Sequence, residues 1–311
     1  MKGMKSLIWM TWMGLLAGGC EGFLSPEPQG KLTEEVFFSE EEGALMGINA
    51  IYSRLREWDQ IGFPWFVICE LPSDNSNTGS ELADGSVARL NTVNDFTYNA
   101  GVDELNNWWT GNYNAIANCN VALESLEGLG NEELKVRCMA QARFFRGFFY
   151  FNLVRAFGGV PLMTEVPQPG QYNKPRATEA RVYEEIIKDL TYASMNLPTR
   201  TQWGEKEWGR VTRSTAQGLL AKVYLFRQEY QKAFNYADSV IVRGEYALHP
   251  HYRDLFNPRS LYSREVMLAD QFLWQDNRDS ESQFVMWQGV RGYWGWGYFS
   301  PTESLVNSYE K

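Results

Sequence analysis

Apolar residues recur at helical spacing along most of this chain, and the intervals where that period fails are as informative as those where it holds. Leu45, Ile48, Tyr52 and Leu55 fall on one face of a first helix, preceded by Ser39-Glu40-Glu41-Glu42, in which a Ser and the Glu three residues on form a capping box. From 58 to 101 the period is lost and Asn, Asp, Ser, Thr and Gly accumulate. That predicts a long loop region with short strands, of a length that in a compact domain is usually functional. Trp109, Tyr113, Ile116, Asn120 and Leu123 restore the helix, and Gly128 to Gly130 breaks it. Asn131 caps the next one, where Phe144, Phe145, Phe148, Phe149 and Phe151 occupy nearly every side and predict a central helix. Gly158, Gly159 and Pro161 stop it.

Thr178 opens a further helix with Val182, Tyr183, Ile186, Ile187, Leu190, Ala193 and Leu197 in register, ended by Pro198. Ala216, Leu219, Leu220, Val223 and Tyr224 then form one stripe, and Tyr230, Ala233, Phe234, Ala237, Val240 and Ile241 a second, with a short connection at Arg227 to Glu229 and Gly244 after. Two antiparallel helices of this length fit either an ordinary helical hairpin or one tetratricopeptide unit, with Leu220, Ala221, Tyr224 and Ala233 at signature offsets. Such a unit cannot bury its own apolar face and has to stack on its neighbours. From 245 onward the pattern weakens: Glu265 to Phe272 predicts a strand, 275 to 300 a loop, and Ser304 to Lys311 a helix that starts without a terminator, as in a domain that continues.

Within the late loop, Trp287, Tyr293, Trp294, Trp296, Tyr298 and Phe299 are interleaved with glycines. The segment is too glycine-rich for a helix or a strand interior. Twelve Trp among 311 residues, 44% hydrophobic and 15% aromatic overall, suit a folded chain that holds a ligand on its rings. The balance of 29 basic to 38 acidic side chains, with no Lys/Arg block, argues against nucleic acid as a partner.

The N-terminus carries Lys2 and Lys5, an uncharged run from Leu7 to Ala17, and Ala17-Gly18-Gly19-Cys20. This is the layout of an export signal. The apolar run is about half of the ~20 residues that cross a bilayer. The last four residues resemble a bacterial lipobox, which makes residues 1–19 a lipoprotein signal peptide, Cys20 the lipidated first residue, 20–38 a tether and 39–311 the helical domain. Cys69, Cys119 and Cys138 have no C-x-x-C spacing, so buried free thiols are expected rather than a disulfide framework or a zinc site.

For catalysis the chain offers little. His249 and His251 are its two histidines, and no metal, nucleophile-elbow or phosphate-loop motif occurs, so neither an enzyme nor a cofactor is expected. A carboxylate pair cannot be judged by counting, because it depends on separation in space.

The order of CEGFLSPEP, GINAIYSRL, ELPSDN, NNWWTGNYNAIANCNVALE, ARFFRGFFYFNLVRAFGGVPL, YEEIIKDLTYASMNLP, GRVTRSTAQGLLAKVYLF and YQKAFNYADSVIVRGEYALHPHYRDLF, spanning roughly residues 20 to 270, resembles the SusD/RagB family of outer-membrane nutrient-binding lipoproteins of Bacteroidetes. The resemblance implies a mostly α fold, a tetratricopeptide-like helical scaffold with long inserted loops and minor β structure. It implies a lipid anchor in the outer membrane and a TonB-dependent transporter of the SusC type as partner. It further implies a C-terminal lobe beyond SPTESLVNSYE that this sequence lacks. In glycan-binding members an aromatic arc comes from two loop regions, matched here by Asp74 to Asn94 and Trp274 to Phe299. Candidate ligand contacts are therefore Asp74, Asn75, Arg89, Trp287, Tyr293, Trp294 and Trp296, with Trp287 and Tyr293 also readable as half-buried supports. An extended backbone would set Trp294 and Trp296 on one face. Trp108 and Trp109 are expected in the core, and Trp203 and Trp208 fit either surface contact or loop anchoring. Three functions follow: capture of an oligosaccharide for import, capture of a peptide as in RagB-like members, and a non-transport repeat scaffold at the outer membrane.

Overall fold

A computed structural model describes residues 40–81, 83–257, 260–272 and 282–309. The signal segment, Cys20, Ser39 of the capping box and Trp274 lie outside them. The regular structure of the described residues is helical apart from one short strand pair.

Helix α1 (Glu41–Ser53) runs into a 3-10 turn at Arg54–Arg56 and buries Ala44, Ile48, Ile51 and Leu55. The interval from 58 to 101 is not the open loop that its lost period predicts. It contains α2 (Phe63–Cys69), strand β1 (Ser76–Gly79) and α3 (Gly85–Asn94). Helix α2 is apolar nearly all round and so shows no stripe. In α3 only Val87, Leu90 and Val93 are buried, and Asp84 caps it by accepting from the Ser86 N–H.

The long helices α4 (Asp103–Ser125), α5 (Glu132–Phe157) and α6 (Glu179–Asn196) follow, then a single turn α7 (Arg200–Trp203), and the hairpin of α8 (Arg213–Phe226) and α9 (Tyr230–Arg243). Each of these long helices packs on its predecessor: α4 on α5, α5 on α6, α6 on α8 and α8 on α9, while α1 lies against α4 and α5. This is the sequential stacking of a helical repeat scaffold. Two caps expected from sequence are formed, Asn131 Oδ1 accepting from Leu134 N and Thr178 Oγ1 from Arg181 N, whereas the N-cap position of α1 falls on Glu40, whose side chain makes no cap bond. Helix α5 is central, with Phe144, Phe145, Phe149, Tyr150 and Phe151 buried.

The expected strand at 265–272 has no regular structure. Its backbone is held from outside: Met267 O accepts from Thr215 Oγ1, and Ser263 O just before it accepts from Arg200. The strand pairing that does form joins β1 to β2 (Tyr298–Pro301), antiparallel, with Ser76 opposite Pro301 and Gly79 opposite Tyr298. Helices α10 (Phe284–Gln288) and α11 (Glu303–Ser308) flank β2. On α9 only Ala233 is buried; Phe234 and Ile241 of the predicted stripe point outward. Cys119 and Cys138 are buried free thiols as expected, whereas Cys69 reaches the surface.

At the centre of the stack Arg146 grips Asp189 with two parallel bonds, Nε to Oδ2 at 2.7 Å and Nη2 to Oδ1 at 2.8 Å. Its remaining nitrogen donates to Asn120 Oδ1 and Thr164 O. Both charges are buried. Removing one partner strands the other in a low-dielectric core, which costs ~3–5 kcal/mol, whereas replacing both with apolar groups of similar volume is often neutral. Asp189→Ala is therefore expected to lower the urea-unfolding free energy by that amount, and Arg146→Met with Asp189→Leu to recover most of it. Equal losses in the single and double variants would contradict the charge-stranding account.

Candidate functional site

The glycine-rich aromatic segment is a folded-back turn. After α10 the N–H groups of Tyr293, Trp294 and Gly295 all converge on Val290 O, Trp296 N donates to Met286 O at 2.7 Å, and Gly297 N donates to Gly289 O at 2.9 Å. The glycines make this closure sterically feasible: a Cβ at Gly295 would stand 2.3 Å from Met286 O. Residues 292–294 are a turn, so the extended register that would aim Trp294 and Trp296 at one face is not present.

The turn sorts the rings. Trp287, 3% exposed, sits inside an apolar cluster with Phe63, Val67, Leu71, Leu90, Tyr298 and Phe299. It therefore takes no part in the exposed turn. Trp296, 39% exposed, leans edge-on toward Phe63 and Tyr298 at ring centroid distances of 6.5 and 6.2 Å. Tyr293 and Trp294 are 83% and 81% exposed and project from the turn. Tyr293 is therefore no half-buried support.

A polar clamp fixes this turn to the segment after β1. Arg291 Nη1 donates to Asp84 Oδ2 at 3.0 Å and also to Ser80 Oγ, and the Tyr298 hydroxyl donates to the same Asp84 oxygen at 3.0 Å. Ser80 N donates to Gly297 O at 2.6 Å. The Ser86 backbone N–H first, then Tyr298 and Arg291, pull the Asp84 carboxyl down to about 2. Ser80 and Phe299, either side of this junction, have φ of 60° and 57°, a conformation that non-glycine residues rarely adopt. Sequence reasoning missed the clamp; the available signal was Asp84 ahead of Gly85-Ser86, a helix N-cap.

Of the other predicted contacts, Asp74 and Asn75 are exposed at a turn, their carbonyls accepting from Thr302 Oγ1 and Thr302 N after β2. The strand register thus leaves them beside Thr302, at the opposite end of the β1–β2 pair from the aromatic turn, which joins at Ser80 and Gly297. Arg89 is not free: its guanidinium donates to Glu104 at 2.7 Å and Asp103 at 3.4 Å, at the start of α4. Trp108 is buried and Trp109 is half-buried, its ring under the Arg176 guanidinium. The Trp203 N–H is bound to Val211 O at 3.0 Å, which makes that ring a loop anchor.

Beside the aromatic cluster lies a cavity of about 470 Å³ walled by Trp58, Phe66, Phe284 and Trp287, with Arg56, Glu57 and Asp270 among its polar groups. That is within the range of small-ligand sites. Trp58 stacks on Phe63 at 5.5 Å and meets Trp287 edge-on at 5.4 Å. His249 and His251 pair within their own loop, the His249 Nδ1 on the His251 backbone. Among the described residues no group of three or more His, Cys, Asp or Glu could hold a metal ion. Among them also, no helix is long and apolar enough to cross a membrane.

Residues 70–225 match a SusD-like family model described as "Starch-binding associating with outer membrane". Two curated relatives from Formosa agariphila are similar: SusD-like protein P25, 25% identical over 85% of this chain and 50% of its own length, and SusD-like protein P2, 32% identical over 77% and 47%. Among solved structures, a laminarin binding SusD-like protein matches at 25% identity with a TM-score of 0.74, covering 86% of this chain and 63% of that one. A SusD-like protein from Bacteroides fragilis matches at 25% identity with a TM-score of 0.77, covering 91% and 55%. The chain spans about half the length of the curated relatives it matches. With a helical repeat scaffold, a β1–β2 junction carrying an aromatic turn, and a family model that matches half of its residues, the chain belongs to the SusD/RagB family.

Proposed function

We propose that this chain is a saccharide-binding protein of the outer membrane that captures an oligosaccharide and passes it on without chemical change. The observation that carries the reading is the pair of exposed rings, Tyr293 and Trp294, on a turn whose backbone is closed by its own hydrogen bonds and clamped by Asp84. Sugar rings present C–H faces that pack on flat aromatic surfaces, and a rigid platform loses little freedom on binding. Asp74 and Asn75 are exposed at the other end of the β1–β2 pair, beside Thr302, so the ring pair carries the reading without them. A laminarin binding relative supports the ligand class, and the family description supports the membrane. In this proposal Cys20 carries the lipid anchor, residues 20–38 form the tether, and a TonB-dependent transporter of the SusC type receives the ligand. Binding is favoured over catalysis because the two histidines serve their own loop and the Asp84 carboxyl is held ionised by fixed partners.

The test is retention of the protein on a panel of plant, host and microbial polysaccharides, with variants alongside. Tyr293→Ala and Trp294→Ala are each expected to weaken binding to the retained glycan about tenfold, equivalent to ~1.4 kcal/mol. A folded chain that no polysaccharide retains, or variants that bind like the wild type, would remove the reading.

The clamp yields a second expectation. The Asp84 carboxyl lies at about 2 in the folded chain against an ordinary 3.8, so its contribution stands in full above about pH 4 and is lost as pH falls toward 2. Asp84→Ala is expected to speed amide hydrogen exchange across 289–300 at neutral pH while leaving α5 and α6 protected. Unchanged exchange in the turn would show that its own backbone bonds suffice.

A further inference from the structure

A second hollow lies away from the aromatic turn, and no part of the reading so far uses it. A cavity of about 300 Å³ opens between the end of α1 with its 3-10 turn and the loops 206–210 and 269–271. Asn49, Arg56, Trp208 and Gln271 are among its walls. Asp270 is common to this cavity and to the larger one beside Trp58, so the two share a wall. Asp270 Oδ2 is buried and has no hydrogen-bond donor. A buried carboxylate oxygen without a donor is destabilising, and in a hollow it marks where a donor is missing.

The indole next to it is also available. Trp208 packs against the Arg200 guanidinium at 4.9 Å and the Tyr262 ring at 6.0 Å, yet lines the 300 Å³ cavity. Trp203, by contrast, has its N–H bonded and its ring under Arg137 at 5.3 Å and Arg210 at 5.7 Å. Trp208 and Asp270 line the same cavity, and between them Gly209, at φ +106°, leaves room for the Gln271 amide, whose Nε2 would lie 2.3 Å from a Cβ there. A side chain at 209 would have to adopt a strained φ and displace the Gln271 amide.

The charges facing Asp270 select the donor. Arg56 ends the 3-10 turn and Glu57 follows it, and Lys206, Glu207 and Arg210 come from the opposite loop, with Arg210 paired to Glu207. Tyr52 lies within the wall, its hydroxyl already engaged with Gln141 and Val211. In the smaller cavity three cations stand against two carboxyl groups, so a cationic ligand is disfavoured and a neutral hydroxyl donor fits.

We propose that this cavity is a second saccharide subsite, in which Asp270 accepts a hydrogen bond from a sugar hydroxyl and the Trp208 indole packs on the ring's C–H face. An oligosaccharide crossing Asp270 would join it to the cavity walled by Trp58. The ligand class rests on the saccharide-binding reading above; the site does not. Burial places the Asp270 carboxyl at about 6, opposed by Arg56 and a backbone N–H at Gln271. A hydroxyl bound to the ionised form is the stronger, charge-assisted contact. Affinity through this subsite therefore rises as pH climbs through about 6.

The experiment is calorimetric titration, from pH 5 to 8, of the wild-type chain with soluble oligosaccharides cut from the polysaccharide it retains. Wild-type affinity is expected to be several-fold tighter at pH 8 than at pH 5. At pH 8, Asp270→Asn and Trp208→Ala are each expected to weaken binding about tenfold; Asp270→Asn should also flatten the pH profile, and Trp208→Phe, keeping a flat ring, should recover part of the loss. If Asp270→Asn and Trp208→Ala bind like the wild type while Trp294→Ala does not, the subsite is wrong and the saccharide reading stands. If the wild type retains no polysaccharide, both fall together. A pH profile that persists unchanged in Asp270→Asn would also overturn the role given to that carboxylate.

Discussion

The buried pair of Arg146 and Asp189 is the constraint on which the scaffold depends. Its three guanidinium nitrogens join α5 to α6 through Asp189, to α4 through Asn120, and to the 160–165 segment through Thr164 O. Asn120 in turn donates to Met163 O, and the Tyr150 hydroxyl both accepts from Met163 N and donates to Met163 O. A buried ion pair is weak evidence for stability in itself, because desolvation opposes the attraction. What it supplies here is register. Apolar faces between long helices tolerate sliding, whereas a bidentate guanidinium–carboxylate contact fits at one offset. The close packing of α6 on α5 at this level is visible at Gly147, where a Cβ would stand 3.0 Å from the Leu190 side chain and 3.5 Å from Ile186 O.

The scaffold reaches the aromatic turn through the loop after α1. Gly111 on α4 lets the Asp59 carbonyl approach to a position 2.2 Å from where a Cβ would be, and Arg54 holds the Asp59 carboxylate at 3.1 Å. Trp58, one residue earlier, is thereby placed against Phe63 and Trp287. From Trp287 the chain leads directly into the turn that presents Tyr293 and Trp294. A side chain exposed at the tip is therefore supported by a continuous set of contacts running back to a central helix.

The fold class was legible because α1, α4, α6 and α8 each carry an apolar stripe that their neighbours bury, α5 is apolar on nearly every side as a central helix is, and Asn131 and Thr178 announce two helix starts. Helix α2 was not, since FPWFVIC is apolar on every side and a run of that length gives no period. Helix α3 was hidden by its polar majority, although Val87, Leu90 and Val93 fall at threefold spacing behind the Asp84 cap. At the site, the region 285–300 was legible from composition alone. The sorting of its rings was not, because which of Trp287, Tyr293, Trp294 and Trp296 turns inward depends on the fold-back at Gly295. The clamp joins Asp84 to residues more than 200 positions away, a pairing that neither segment signals by itself.

The two exposed rings and the unpartnered Asp270 oxygen share a physical logic. A protein that folds only for its own stability would bury Trp294 or supply a donor to Asp270, since each omission is destabilising. Here the surrounding structure does not relax to correct either. The turn is closed by its own backbone bonds and tied by Arg291, and the backbone leading into 269–271 is held at Met267 O by Thr215. Rigid neighbours therefore keep apolar and polar groups in unsatisfied positions at two separate places, Tyr293 and Trp294 facing outward and Asp270 facing a hollow. A flat apolar ring face and a hydrogen-bond acceptor are the two complements that a sugar residue requires. Groups held in that state before a ligand arrives bind it with less loss of freedom than groups that must first be ordered.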